Sequence, residues 1–465
     1  MHSGVSGSAS RLAVLNLGPL DRQMHVPTRG IRVVDVVRVS LALVLVANLG
    51  RIPLLFVDNK DAPVLVTDLG VMAVLVAGAA VALRGRVLRL DSIAIIALLF
   101  AGVGALSAML AVPRFGLSPF EFAISFAYLV RWVFYFGLYV VVINYVRRGD
   151  VPSVWNAFEG MVLVFAAFGI FQSAFLPGFA QIVYPDSELY VDWDPQGRRL
   201  VSTFLDPNFA GALIFMALLV YFSWIALGVK VARWKVVLLA VALVLTISRS
   251  SVIGLMAGGL MILTVRGLSK RLLRVGGLLL LLALPFTPFI FTFAADYGKF
   301  TIGPSALARV AMWVRGLEIF ADNPILGVGF NTYGFVQESY GYQAVGRASY
   351  TLDGGLLFVA VMTGTVGLTL YITMIGLFLA RCRRTWREVS RDAYERGLAL
   401  GVGAATVALL VHSVFLNSLL LPLLMGPLWV LWGLVYLMRQ PFGTPTLARS
   451  ADARAPRLAV LPRAG

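Results

Sequence analysis

Long apolar runs separated by short polar breaks make up most of this chain. The runs fall at 33–57, 64–83, 92–112, 122–146, 153–176, 203–227, 235–249, 250–266, 272–293, 353–380, 397–418 and 420–438. Stretches of ~18–25 apolar residues are long enough to cross a ~30 Å hydrocarbon core as helices. They lack the strict alternation of membrane-barrel strands. The pattern predicts an all-α, polytopic membrane protein with about twelve transmembrane helices.

Composition agrees. Of 465 residues, 59% are hydrophobic and 13% charged, and the mean hydropathy is +0.86. A soluble domain carries about 25% charged residues. The net charge of +16 raises nucleic acid as a partner, but the cations sit in short loops between apolar runs. The segments RGRVLR (84–89), RRGD (147–150), GVKVARWK (228–235), RGLSKRLLR (266–274) and RCRRTWREVSRDAYER (381–396) are basic, whereas DNKDAP (58–63) and PDSELYVDWDPQG (185–197) are acidic or balanced. By the positive-inside rule the basic loops and both termini are cytoplasmic, and the location is the inner membrane. Nucleic acid is set aside on this ground.

The expected organisation is a cytoplasmic tail at 1–31, a transmembrane region at 32–441 and a disordered tail at 442–465. The first thirty residues lack an early apolar segment with a clear cleavage site, so no signal peptide is read. The single cysteine, Cys382, has no partner for an internal disulfide, and three scattered histidines give no metal-site pattern. No metal and no cofactor are expected.

Two segments assigned to the outer side are long: 177–202 and 294–352. Loops of this length are usually functional or disordered. The second contains SALARVAMWVRGLEIFAD (305–322), with Leu307, Val310, Val314, Leu317 and Phe320 at helical spacing and Ser305 as a cap. This predicts an amphipathic helix along the membrane face. NPILGVGFNTYG (323–334) then reads as a tight turn punctuated by Asn-Pro and glycines.

Four polar groups map to that side. Asp206-Pro207-Asn208 opens the sixth span, with Asp206 as cap and Pro207 at the first helical position. That leaves Arg198 and Arg199, just upstream, unexplained. Arg249 stands among Ser248, Ser250 and Ser251 at the turn between the short seventh and eighth spans. It is either a snorkelling arginine or part of an anion clamp, since its planar fork matches phosphate. Arg309 and Trp313 share a helix face, four residues apart; Arg309 is an interfacial anchor or a second clamp residue. Asp353 precedes Gly354 and Gly355 at the mouth of the tenth span, as an N-cap or as a general base. Gly364 and Gly367 suit close helix packing, and His412 reads as a packing or hydrogen-bonded intramembrane histidine. Arginines gathered at one membrane face point to a diphosphate, and so to a lipid-linked sugar.

The segments STFLDPNFAG, LTISRSSVIGL, ARVAMWVRGLEIFADNPILGVGFNTYG and LDGGLLFVAVMTGTVGL, in this order from Arg198 to Leu368, resemble the O-antigen ligase / O-antigen polymerase family of bacterial envelope glycosyltransferases. The resemblance implies a GT-C-like helical fold with a large external loop between helices 9 and 10. It implies transfer of an oligosaccharide from a polyprenyl-diphosphate carrier to an acceptor hydroxyl, without a metal. Ligases usually carry His-Asn eleven residues ahead of the first glycine of Gly-x-x-Gly; here that place holds Asp353 and Gly354. This departure is closer to the polymerase branch.

On this reading Arg249 and Arg309 hold the diphosphate and Arg198 or Arg199 adds to the clamp. Asp353 activates the acceptor hydroxyl, while Asn208, Trp313 and Tyr333 contact substrate. The partners are the polyprenyl-diphosphate-linked oligosaccharide, membrane lipids and a chain-length regulator. Three alternatives stand beside it: ligase-type transfer to a terminal acceptor, a twelve-helix secondary transporter of an anionic substrate, and a non-catalytic scaffold for envelope assembly whose arginines position lipid headgroups. Transporters favour midplane sites and inverted repeats, and no clear repeat is visible here.

Overall fold

The computed structural model describes residues 38, 41, 50–51, 53–55, 64–83, 88–183, 197–266, 304–342, 352–388 and 391–440. The principal helices are α1 (Val66–Ala82), α2 (Ser92–Phe115), α3 (Pro119–Tyr145), α4 (Val151–Phe175), α5 (Pro207–Leu227), α6 (Arg233–Leu245), α7 (Arg249–Arg266), α8 (Pro304–Asp322), α9 (Gly355–Arg387), α10 (Ala393–His412) and α11 (Pro422–Leu437). Among the described residues the only strands form a small antiparallel pair, Pro53–Leu55 (β1) with Val64–Leu65 (β2).

The chain is thus an all-α, polytopic membrane protein. Among the described residues seven helical segments are long and apolar enough to cross a membrane. Helices α1 and α11 are apolar but shorter. The expected span at 272–293, most of that at 33–57, the tails at 1–31 and 442–465 and the ends of the 294–352 loop lie outside the described residues. So does the side chain of Ser305, the expected cap of α8.

Local sequence explains where the helices start. Ser118, Pro119 and Glu121 form a reciprocal capping box on α3, with Ser118 N–H donating to Glu121 at 2.8 Å. Asp91 caps α2, which ends at Gly116 in a left-handed turn (φ 66°). A helix that is apolar all round belongs in the interior, and α5 is that helix, buried along nearly its whole length. It packs against α10, α7 and α6, while α2, α3, α9 and α11 form the neighbouring half of the bundle. Small residues let the central helices approach: a Cβ on Gly211 of α5 would fall 2.4 Å from Ser251 Oγ of α7.

The basic loops gather at one end of the bundle, where carboxylates tie them together. Arg381 pairs with Asp91 at 2.5 Å, and Tyr139 donates to the same carboxylate at 2.7 Å. Arg148 holds Glu395 through two bonds of 2.7 and 2.6 Å. Asn144 bonds the backbone of Arg89, and Trp224 donates to the carbonyl of Tyr394. The described parts of the basic segments at 88–89, 147–150 and 381–396 are therefore held near one another's helix ends.

The largest departure from the sequence reading concerns residues 323–332. They do turn, with Gly327 N–H donating to Asn323 O (3.1 Å) and Thr332 N–H to Gly329 O (3.3 Å), but the turns are not self-contained. They form a strap that enters a break in α9, where Gly364 adopts φ 65°, ψ −168°. That backbone region is essentially restricted to glycine. The break frees four backbone groups, and the strap takes up each one. Val328 N–H donates to Val361 O (2.9 Å) and Gly329 N–H to Met362 O (3.1 Å), while Thr365 N–H donates to Pro324 O (2.8 Å) and Val366 N–H to Ile325 O (3.3 Å). Ser107 of α2 reaches the carbonyls of Leu326 and Met362, and Ser125 of α3 reaches that of Asn331. Gly364 was expected to serve close helix packing. Its main task is instead to open α9 for the strap, since a Cβ there would fall 2.0 Å from Ile325 O.

Gly364→Ala is therefore expected to lose roughly 3 kcal/mol or more of stability, or to fail to fold, from the forced backbone and the clash. Gly376→Ala in the same helix, where a Cβ meets nothing within 4 Å, should be near neutral. Thermal unfolding of the two detergent-purified variants checks the contrast.

Candidate active site at one end of the bundle

At the end opposite the ion-paired loops, α5, α7, α9 and α11 begin and α10 finishes. Helix N-termini carry partial positive charge and open N–H groups, which favour anions.

The start of α5 is fixed by its sequence. Asp206 is buried, and its carboxylate accepts from the N–H groups of Asn208 (2.8 Å) and Phe209 (3.2 Å). Pro207 takes the first helical position. This places Asn208 beside the turn between α6 and α7. Helix α6 has 13 residues, rising about 20 Å, less than a ~30 Å hydrocarbon core. The turn after it is strained at Ile247, a β-branched residue at φ 51°. Arg199 holds that strain, donating to the carbonyls of Thr246 (3.0 Å) and Ile247 (3.2 Å).

Ser248 caps α7, accepting from Ser251 N–H at 3.2 Å while its hydroxyl donates to Asn208 Oδ1 at 2.8 Å. Ser250 Oγ lies 3.1 Å from both Ser248 Oγ and His412 Nε2. On the other side of the ring, His412 Nδ1 lies 2.5 Å from Ser418 Oγ. Between the two serines stands Arg249, exposed and without an ion pair among the described residues.

The second part of the site is built by α8 and α9. Arg309 Nε donates to Asp353 Oδ2 at 3.2 Å, with side-chain exposures of 30% and 24%. Asp353 does not cap α9. The capping position belongs to Gly354 (φ 103°), with no side-chain hydrogen bond to the helix start. Trp313 lies against this glycine, its indole nitrogen 3.3 Å from where a Cβ would be. Gly355 N–H donates to Ser413 O at 2.5 Å, which joins the start of α9 to the end of α10, next to His412. Burial pushes the Asp353 carboxyl above the ordinary carboxylate range. The Arg309 guanidinium pulls it down, and the nearby Asp206 carboxylate adds to the upward push.

Of the residues singled out from sequence, Arg309, Asp353 and Trp313 come together directly. Asp206 links them electrostatically to the α5–α7 part, where Asn208 and the serines bracket Arg249. Arg199 is engaged on backbone carbonyls. Arg198 is exposed, and its carbonyl accepts from Ser173. Tyr333 is 1% exposed and packs edge-on to Phe358, with ring centroids 6.2 Å apart, so its ring is part of the core. The Ser250–His412–Ser418 chain was not read from sequence as part of the site. Its one signal was a lone histidine at a helix end followed by two serines.

Residues 234–372, from α6 past the break in α9, match the family model described as O-antigen ligase. This region is similar to that family. No curated protein matches the chain. Within the matched region lie Arg249, Arg309, Trp313, Asp353 and Gly364. Arg198, Arg199, Asn208 and His412 lie outside it, yet Asn208 and His412 bond directly to its Ser-Arg-Ser-Ser turn.

The cap role of Asp206 can be separated from its charge. Asp206→Asn keeps an acceptor for the first N–H groups of α5 and should unfold close to the parent. Asp206→Ala should lose about 1–2 kcal/mol. Thermal unfolding of both variants distinguishes them.

Proposed function

We propose that this protein is a polysaccharide polymerase-type glycosyltransferase. It moves an oligosaccharide from a polyprenyl-diphosphate carrier to an acceptor sugar hydroxyl at the outer face of the inner membrane. The observation that carries this reading is the Arg309–Asp353 pair, set in the region similar to the O-antigen ligase family beside converging helix N-termini.

In this reading the carrier's diphosphate takes over the guanidinium of Arg309 and engages that of Arg249. Both are permanently charged, planar donors suited to phosphate oxygens. Asp353 is then released from its partner. It accepts the proton of the acceptor hydroxyl as that oxygen attacks the anomeric carbon. The bond from that carbon to the diphosphate oxygen breaks, and the prenyl diphosphate leaves with the electron pair. The arginines and helix ends stabilise the charge that develops on it. Trp313, half-buried beside Gly354, offers an aromatic face to a sugar ring.

A ligase-type transfer is the second reading, favoured by the description of the matching family. Purified protein in liposomes, given a polyprenyl-diphosphate oligosaccharide, should yield a ladder of products. A single addition to a terminal acceptor, with no ladder, selects the ligase. No transfer to either acceptor sinks both readings.

Arg249→Ala and Arg309→Ala should each slow transfer by on the order of a hundredfold in the same assay. The acidic limb of the pH–rate profile should lie above the ordinary carboxylate range, because Asp353 must lose its proton to act as a base. Asp206→Asn removes a charge that raises the proton affinity of Asp353, so the limb should move to lower pH. An unmoved limb would show that Asp353 is not the titrating base.

A further inference from the structure

His412 lies outside the matched domain and has no place in the transfer chemistry above, yet it is 0% exposed and hydrogen-bonded on both ring nitrogens. Its Nε2 faces Ser250 Oγ at 3.1 Å and, less closely, Ser251 Oγ at 3.4 Å. Its Nδ1 faces Ser418, which is also 0% exposed. The Phe215 ring of α5 packs edge-on to the imidazole, 5.8 Å between centroids. A polar chain buried this deeply is costly unless every member is satisfied, and when satisfied it specifies one arrangement.

What that arrangement fixes is the backbone on either side of Arg249. Ser248 is tied to Asn208 of α5, and Ser250 is tied to His412 of α10. The Arg249 side chain has no hydrogen bond or ion pair of its own among the described residues. The point and direction from which its side chain leaves the fold are set by its backbone, and that backbone is tied on both sides by the flanking serines.

We infer that His412 is a positioning residue which, through Nε2 and Ser250, holds the first turn of α7 so that Arg249 meets the diphosphate of the donor. The inference rests on the proposed function. It assigns His412 no contact with substrate and no proton transfer. It also makes the two ring nitrogens unequal: Nε2 serves the Arg249 turn, while Nδ1 anchors the ring to the segment after α10.

Amide side chains separate the two nitrogens. Gln places its amide near the position of Nε2, and Asn near that of Nδ1. The probe is farnesyl diphosphate, with farnesol as the uncharged control, titrated onto the full-length protein in detergent, with thermal unfolding measured alongside. The parent should bind the diphosphate in preference to the alcohol, and Arg249→Ala should abolish that preference. His412→Gln should bind close to the parent. His412→Asn and Ser250→Ala should each weaken diphosphate binding roughly tenfold, the scale of one lost buried hydrogen bond. The double variant should be no weaker than either single one, because both remove the same link. Farnesol binding should not change.

If the parent shows no preference for the diphosphate, the proposed function fails and takes the inference with it. If the parent and Arg249→Ala behave as expected but His412→Asn equals His412→Gln, or Ser250→Ala binds like the parent, the inference alone is overturned. Should His412→Asn fail to fold, Ser250→Ala decides, since it leaves the imidazole in place.

Discussion

In an apolar environment every backbone N–H and C=O must find a partner, and a helix satisfies this rule only while it is unbroken. This protein breaks a membrane-spanning helix at Gly364 and repairs the break with another part of its own chain. Irregular backbone at membrane depth is tolerated only when protein or a water-filled cavity covers it. The strap at 323–332 provides that cover with four backbone hydrogen bonds, and Ser107 and Ser125 hold it to α2 and α3.

The position of the strap governs the site. Because it follows directly from α8 and threads into α9, it fixes where α8 ends relative to the first turns of α9. Asn323, buried at the junction, donates to Ile319 O (2.7 Å) and to the Tyr340 hydroxyl (3.0 Å), closing the end of α8. Gly316 of α8 then lies against Leu352. Two helical turns earlier on α8, Arg309 reaches Asp353. An error in the strap would be passed along α8 to the ion pair. The Gly-x-x-Gly element and the Asn-Pro-x-x-Gly-x-Gly element, more than thirty residues apart in sequence, are two halves of one joint.

The seven spans seen among the described residues were legible because burial in lipid leaves a strong one-dimensional signal: apolar runs of the right length. The helix at 305–322 was legible for the same reason. Its exposed faces add to the picture, since Val310, Val314 and Leu317 point outward at 49%, 58% and 55% exposure while Gly316 and Ile319 face the protein. The break at Gly364 was not legible, because a Gly-x-x-Gly pair carries the same letters whether it lets helices touch or opens a helix to a strap. The Ser250–His412 bond spans 162 residues of sequence, and no local periodicity reports a contact of that range. The hold of Arg199 on the α6–α7 turn was not legible for a related reason: the partners at its guanidinium include backbone carbonyls, which sequence does not advertise.

The polar groups at this end divide by what already occupies them. Asp206 is taken up by the start of α5, Ser248 by the start of α7, and Arg199 by the carbonyls that end α6. Helix α9 is different: an aspartate stands just ahead of it, yet no side chain caps it. The left-handed turn at Gly354 carries Asp353 away from the helix it precedes and toward Arg309 on α8. A carboxylate in the capping position would have neutralised the positive end of α9 and been spent as structure. Displaced by one glycine, it leaves that end uncapped and becomes the counter-charge of Arg309. On the proposed function, stability of the helix start is thereby given up for a charge that changes partners when the diphosphate arrives.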